Sequence, residues 1–375
     1  MSKSADKAGQ DLDVLRSTVA TTLALLSQLQ TQAAPTGKGT KTDLNALDLG
    51  HDAAFLIRVH STKLSLLIIN KPFTASAITT VLRELVSGPF PGLASAVELC
   101  DAATYTKAMN EEFKYQAGKV FTEFSTLVKA IPLDGKVLSD DAKNGTGSTK
   151  GKGSLVMTGT VWQACDAVIE LKQLGIAGLL IKKAEQYRAT LKDALEELQE
   201  WGEEESDGED GDTGSGDEDD AQAAVDDMFD NQRHIPSEDP EKIRPRLERS
   251  LKQLRLLSLM YQAVVKRRFK TLSKFPFPGP ATENGNEPNG TPDTIGCLNA
   301  VLDLMKSIPD IVDELASAFY ELDGKEIDKR MGQCSITGLE VVRPLSKNWK
   351  GEDDEFTVWM EKFQLAIKAE KGADN

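Results

Sequence analysis

The sequence predicts an all-α protein of two antiparallel helical bundles, four to five helices each, with a disordered acidic loop inserted in the second. Three observations predict it. Apolar residues recur every three or four positions along most of the chain, the spacing of one helix face. No stretch of strand-type alternation competes with that spacing. Aromatics are only 6% of the residues while alanine and leucine stretches are long, which leans further toward helix. A length of 375 residues exceeds one ordinary core and points to two or three folded units.

Along Gln10 to Ala33, the residues Leu12, Leu15, Val19, Leu23, Leu26 and Leu29 form the stripe of an amphipathic helix. A second helix is expected from about Asp43, taken as its N-cap. It carries Leu44, Leu47, Phe55, Leu56, Val59 and Leu67 until Pro72 forbids continuation. Thr74 to Val86 gives a shorter helix closed by Gly88-Pro89. Gly92 to Leu127 gives a long tract with a break near Asp101, stopped by Pro132. Residues 133–153 are rich in Gly, Ser, Asp and Lys without an apolar period and read as a flexible linker, so the N-terminal bundle is assigned to 1–132.

Helical spacing resumes at Leu155, Val161, Trp162, Cys165, Val168 and Leu171, and again from Ile176 to Trp201, as two antiparallel helices joined near Gly175. Pro245 fits the first turn of the next helix, whose apolar members run from Leu247 to Leu272. A Pro- and Gly-rich stretch, 275–292, separates it from Asp293 to Leu322, which Pro309 is expected to kink or split. The last helix, about Glu352 to Lys368, offers Phe356, Trp359, Phe363, Leu365 and Ile367 for burial. The C-terminal bundle is thus assigned to 154–202 and 238–375, with 203–237 as the inserted acidic segment.

The net charge of −15 is largely local. Residues 203–220 hold 11 acids among 18 residues and no base, which leaves −4 for the rest of the chain. Such a tract buries too little apolar surface to offset its ordering entropy, hence the expectation of disorder. Directly after it, Lys242 to Lys274 holds 11 bases and the single acid Glu248. Four cysteines lie far apart without a C-x-x-C pair, fitting reduced thiols in cytosol or nucleus. The first residues lack the apolar core of a secretory signal. The longest apolar run, Leu64 to Ile69, falls short of the roughly 20 residues a membrane span needs.

Motifs of chemistry are weak. NGTGSTKGKGS at Asn144 to Ser154 fails as a phosphate loop: Thr146 stands where glycine is needed, Gly153 follows Lys152, and no strand precedes it. His51, His60 and His234 are too few and too scattered for a metal site. No nucleophile elbow is present, and Cys165 in TVWQACDAV reads as a small buried hydrophobe. No catalytic, cofactor-binding or metal-binding residue is therefore assigned, and the chain is read as a non-enzyme.

The positive signals are electrostatic. Lys266, Arg267, Arg268 and Lys270 form a basic cluster that is a solvated bundle face, a nuclear-import patch or a site for an acidic partner. The acidic loop is long enough to lie over this helix, so self-screening rather than strong nucleic-acid binding is expected. Ser206 and Ser215 precede acids in the pattern favoured by acidophilic kinases. A phosphate on each would add about −1.5 to −2 charge.

Gly159-Thr160-Val161-Trp162-Gln163-Ala164-Cys165-Asp166, followed by LKDALEELQEW running into the acidic tract, resembles the cyclin-D-binding, Grap-and-cyclin-D-interacting protein family. Lys63-Leu64-Ser65-Leu66-Leu67 before Lys71-Pro72, and Val312-Asp313-Glu314-Leu315-Ala316, add to the likeness. The resemblance implies helical bundles like those of vinculin and talin, and action through protein contacts. It also implies cyclin-like or transcription-regulator-like partners, residence in nucleus and cytoplasm, and negative regulation of cell-cycle progression or transcription. A vinculin-like cytoskeletal or membrane-surface adaptor is the alternative reading. Oligomeric state is left open.

Overall fold

The computed structural model describes residues 2–31, 44–146, 152–203, 234–236, 238–273 and 293–371. Among these residues there is no strand, and helices dominate throughout. The acidic segment beyond Glu203, with Ser206 and Ser215, lies outside the described residues, as does the Pro- and Gly-rich stretch after Ser273. The chain divides into two compact units, Met1–Leu179 and Leu180–Asn375.

The first unit contains α1 (Ser2–Thr31), α2 (Ala46–Ile69), α3 (Ala75–Ser87), α4 (Pro89–Leu99), a helical turn α5 (Ala102–Tyr105), α6 (Lys107–Lys129), a second turn α7 (Asp140–Asn144) and the first part of α8 (Ser154–Glu203). The stripe expected in α1 is buried at Leu15, Val19 and Leu26, and α1 packs on α3 and α6. The cap of α2 falls two residues beyond the expected Asp43, which lies outside the described residues. Asn45 caps it instead, its side chain accepting from the amides of Leu47 and Asp48. Asp101 does the same for Ala103 and Thr104, and so marks the expected break. The core closes around Phe90 of α4, whose ring meets Phe121 and Phe124 of α6 edge-on at 6.3 and 5.0 Å. Gly50 permits close approach: a Cβ there would collide with the Phe113 ring.

Residues 133–146 correct the linker expectation. The Leu138 amide donates to Ile68 at the end of α2, 2.9 Å, and the Leu133 carbonyl accepts from Arg16 of α1, 3.0 Å. Ser139 caps the turn α7. This segment is held against the N-terminal bundle, and the unit boundary falls after Leu179 rather than at 133–153. The start of α8 therefore belongs with 1–132 and not with 238–375.

Near the position where two antiparallel helices were expected to join, the helical geometry of α8 is interrupted at Gly175, with φ 60° and ψ −170°. That conformation carries no penalty for glycine and a steric one for other residues.

The second unit is formed by the rest of α8 with α9 (Ile243–Arg267), α10 (Thr294–Tyr320), α11 (Gly324–Val342) and α12 (Glu355–Lys371). Pro245 occupies the first turn of α9 as expected, while Asp239 accepts from the amides of Ile243 and Arg244 at 2.6 and 3.0 Å. α10 and α11 form a hairpin, and Asp323 caps α11. α9 lies against α10, α11 and α12. Gly338 of α11 lets Leu257 approach closely.

Pro309 does not split α10, which runs through it as one helix. In α12, Phe356, Met360, Phe363 and Ile367 are buried at four-, three- and four-residue intervals. Leu365 falls between these turns and is 68% exposed, contrary to expectation. Phe55 of α2 is likewise 52% exposed.

Candidate functional site

The stretch Gly159 to Asp166 lies in the first part of α8, which runs antiparallel to α2 along a seam of polar pairs. Thr158 Oγ1 donates to Ser65 Oγ at 3.0 Å within the buried seam. One turn on, Trp162 Nε1 donates to Thr62 Oγ1 at 3.1 Å. The Arg58 guanidinium sits 5.5 Å from the Trp162 ring centre, a cation–π distance, and its Nε lies 2.8 Å from Asp166 Oδ1. Lys172 pairs with Asp48 at 2.9 Å. As residue numbers rise on α8 they fall on α2, so a short sequence motif becomes one half of a two-helix seam.

The motif residues thus have distinct places. Cys165 is fully buried, and desolvation first, then the Asp166 charge, pushes its thiol up to about 12. At neutral pH it is a protonated, apolar-like group. Asp166 is exposed and anchors Arg58; Thr160 bonds back to the Met157 carbonyl at 2.9 Å. A Cβ on Gly159 would meet open space. Around the seam, Phe55, Leu56 and Leu66 of α2 and Leu155 and Val156 of α8 are exposed.

The basic cluster at the end of α9 is not one patch. Arg268 is completely buried. Its Nη1 and Nη2 donate to the two carboxylate oxygens of Asp354 at 2.8 and 2.9 Å, its Nε donates to the Leu345 carbonyl at 2.8 Å, and its guanidinium lies 4.3 Å from the Phe356 ring centre. Trp349 Nε1 donates to the Arg268 carbonyl at 2.9 Å. These contacts join α9 to α12 and to the chain leading into α12. Hydrogen bonding from Arg268 holds the Asp354 carboxyl down at about 2. Arg267 Nη1 donates to the Glu355 carbonyl at 3.1 Å. Only Lys266 and Lys270 stand exposed, so Arg268 is withdrawn from any import or electrostatic patch. The sequence carried no local sign of this, because the partner Asp354 is 86 residues away.

Further up α9, Arg246 and Arg249 share Asp328 of α11 at 3.0 and 2.9 Å. Arg255 donates to Gln199 of α8 at 3.0 Å. At the end of α8, Trp201 packs on Phe319 and Tyr320, and Tyr320 donates to Glu197 at 2.7 Å.

Of the histidines, His51 contacts Asp52 at 2.9 Å and His60 approaches Glu84 at 3.5 Å. Burial first, then Lys63, lowers the His60 pKa, with Glu84 acting against them. Among the described residues no group of three or more His, Cys, Asp or Glu is placed to hold a metal ion, and no helix is long and apolar enough to cross a membrane.

Fold and seam define an all-α protein of helical bundles in which Trp162 and its neighbours clamp one helix pair. Residues 51–204, from α2 to the end of α8, match the family described as Grap2 and cyclin-D-interacting, N-terminal. That match agrees with the resemblance carried by Gly159 to Asp166. It is also 23% identical to an uncharacterized protein of Schizosaccharomyces pombe over 320 residues, covering 84% of this chain and 82% of that protein.

Proposed function

We propose that this chain is a non-enzymatic regulator that acts by holding protein partners, cyclin-like or transcription-regulator-like, and that it restrains cell-cycle progression or transcription from both nucleus and cytoplasm. The observation that carries this reading is the match of residues 51–204 to the cyclin-D-interacting family. Partner binding is supported by Phe55, Leu56, Leu66, Leu155 and Val156, which leave apolar side chains facing outward on the two helices joined by the seam. Partner helices dock on such faces by inserting side chains at three- and four-residue spacing.

The test is direct binding of the purified chain to a purified D-type cyclin, by calorimetry and co-precipitation. A saturable complex is expected, weakened at least tenfold by Phe55→Asp with Leu66→Asp while helicity and melting are retained. No complex, or a complex indifferent to both changes, overturns the reading. The vinculin-like adaptor draws support from the exposed bases of α9. Sedimentation with actin filaments or anionic vesicles in the absence of cyclin binding would favour it instead.

A further inference from the structure

The exposed positions of α9 include Glu248, Lys252, Arg255, Leu259, Gln262 and Lys266, at intervals of four, three, four, three and four. They lie on a single helix face. The inward bases are already matched: Arg246 and Arg249 to Asp328, Arg267 to Glu355 and Arg268 to Asp354. On the outward face, Lys252, Arg255 and Lys266 have no carboxylate within ion-pair distance among the described residues, and Arg255 touches only the neutral Gln199 side chain. Leu259, 51% exposed, sits between the two groups of bases. Along the face, Glu248 is followed by the bases Lys252 and Arg255, then by Leu259 and Gln262, and then by Lys266.

We propose that the chain's own acidic tract, residues 203–220, docks on this face of α9 and occludes it from other polyanions. Charge complementarity supports this occupant, since the tract holds 11 acids and no base. So does its point of departure. Gly202 packs on Leu247, where a Cβ would collide with the leucine side chain, so the tract leaves α8 beside the first turns of α9. Lys252 lies five residues further, about 7.5 Å along the axis. Extended chain covers about 3.3 Å per residue, so the tract can also span the full α9, about 37 Å long. A covalent tether supplies an effective concentration of roughly millimolar, which favours the tract over a free competitor.

The experiment is lysine reductive methylation read by mass spectrometry, on the full chain and on a chain lacking residues 204–220. At about 0.01 M salt, where charges act over about 30 Å, Lys252 should label at least threefold more slowly in the full chain. The difference should vanish at about 1 M salt, while Lys129 of the first unit labels equally in both chains. A synthetic peptide of residues 203–220 added to the deleted chain should restore protection of Lys252, and Arg255→Glu should weaken it. Equal labelling of Lys252 in the two chains at low salt overturns the proposal, as does peptide protection that Arg255→Glu leaves unchanged. Duplex DNA retained as weakly by the deleted chain as by the full one also overturns it. No cyclin enters either arm, so failure here leaves the regulator role standing, and the reverse holds too.

Discussion

The phenol of Tyr261 on α9 donates its hydrogen bond to the backbone carbonyl of Met305 on α10, four residues before Pro309. In a regular helix the amide of residue 309 would serve that carbonyl, and proline has none. Tyr261 is fully buried, so a donor from a neighbouring helix replaces the missing one where no water can.

Tyr261→Phe should therefore lower stability by about 1–3 kcal/mol, the range for leaving a buried acceptor without a donor. The loss should shrink when Pro309→Ala restores an amide, giving a coupling in a double-mutant cycle of about 0.5 kcal/mol or more. Denaturant melts of the four proteins test it. Identical losses in both backgrounds would sink the compensation.

Arg268 gives the second expectation. Removing the acid with Asp354→Ala leaves a buried guanidinium without counter-charge and should cost about 3 kcal/mol. Arg268→Lys should fail to rescue the site, because an ammonium cannot make the two-pronged contact and the Leu345 bond together. Melting curves of the two variants decide this, and a neutral Asp354→Ala would refute it.

The same pair makes a pH prediction. The Asp354 carboxyl is held at about 2 in the fold, below the roughly 3.9 of an unfolded aspartate. The unfolded chain thus binds the proton first, so the stabilisation is complete above about pH 5 and is lost as pH falls through 4 toward 2. Stability of Asp354→Asn, plotted against pH, should decline less across that window than that of the parent protein.

Thiol chemistry separates the cysteines. Burial raises Cys100, Cys165 and Cys334 to about 12, and Cys297, half-buried, is raised as well. A thiol reagent at pH 8 should modify Cys297 first and reach the other three only on unfolding. Rapid native modification of Cys165 would contradict the buried placement of the motif.

Two glycines should respond with opposite sign. Gly50→Ala drives a methyl into Phe113, and overpacking of about 1–3 kcal/mol exceeds the roughly 1 kcal/mol gained in helix propensity. Gly159→Ala enters open space and should keep the propensity gain. Thermal melts in which both variants shift the same way would be inconsistent with this packing.

Helix content was legible in the sequence because the three-and-four spacing of Leu15, Val19 and Leu26 is a local property of the chain. Caps and breaks were legible for the same reason: Asp101, Pro245 and Pro132 act on their own neighbours. The motif around Trp162 was visible as a string. Its role as one side of a seam was not, because Thr62, Arg58 and Ser65 lie about a hundred residues away. The expected linker at 133–153 misled for a related reason, since polar residues can be tied down by backbone bonds that composition does not register.

By itself, then, the sequence determined the helices, their polarity and the contrast between the acidic residues 203–220 and the basic residues 242–274, since each is a property of residues near one another in the chain. Tertiary structure alone decided that Arg268 is buried rather than offered to solvent, that the start of α8 belongs with α2, and that Pro309 leaves α10 whole. Each of these depends on whether a distant side chain arrives to satisfy a charge or a carbonyl that would otherwise lose its water.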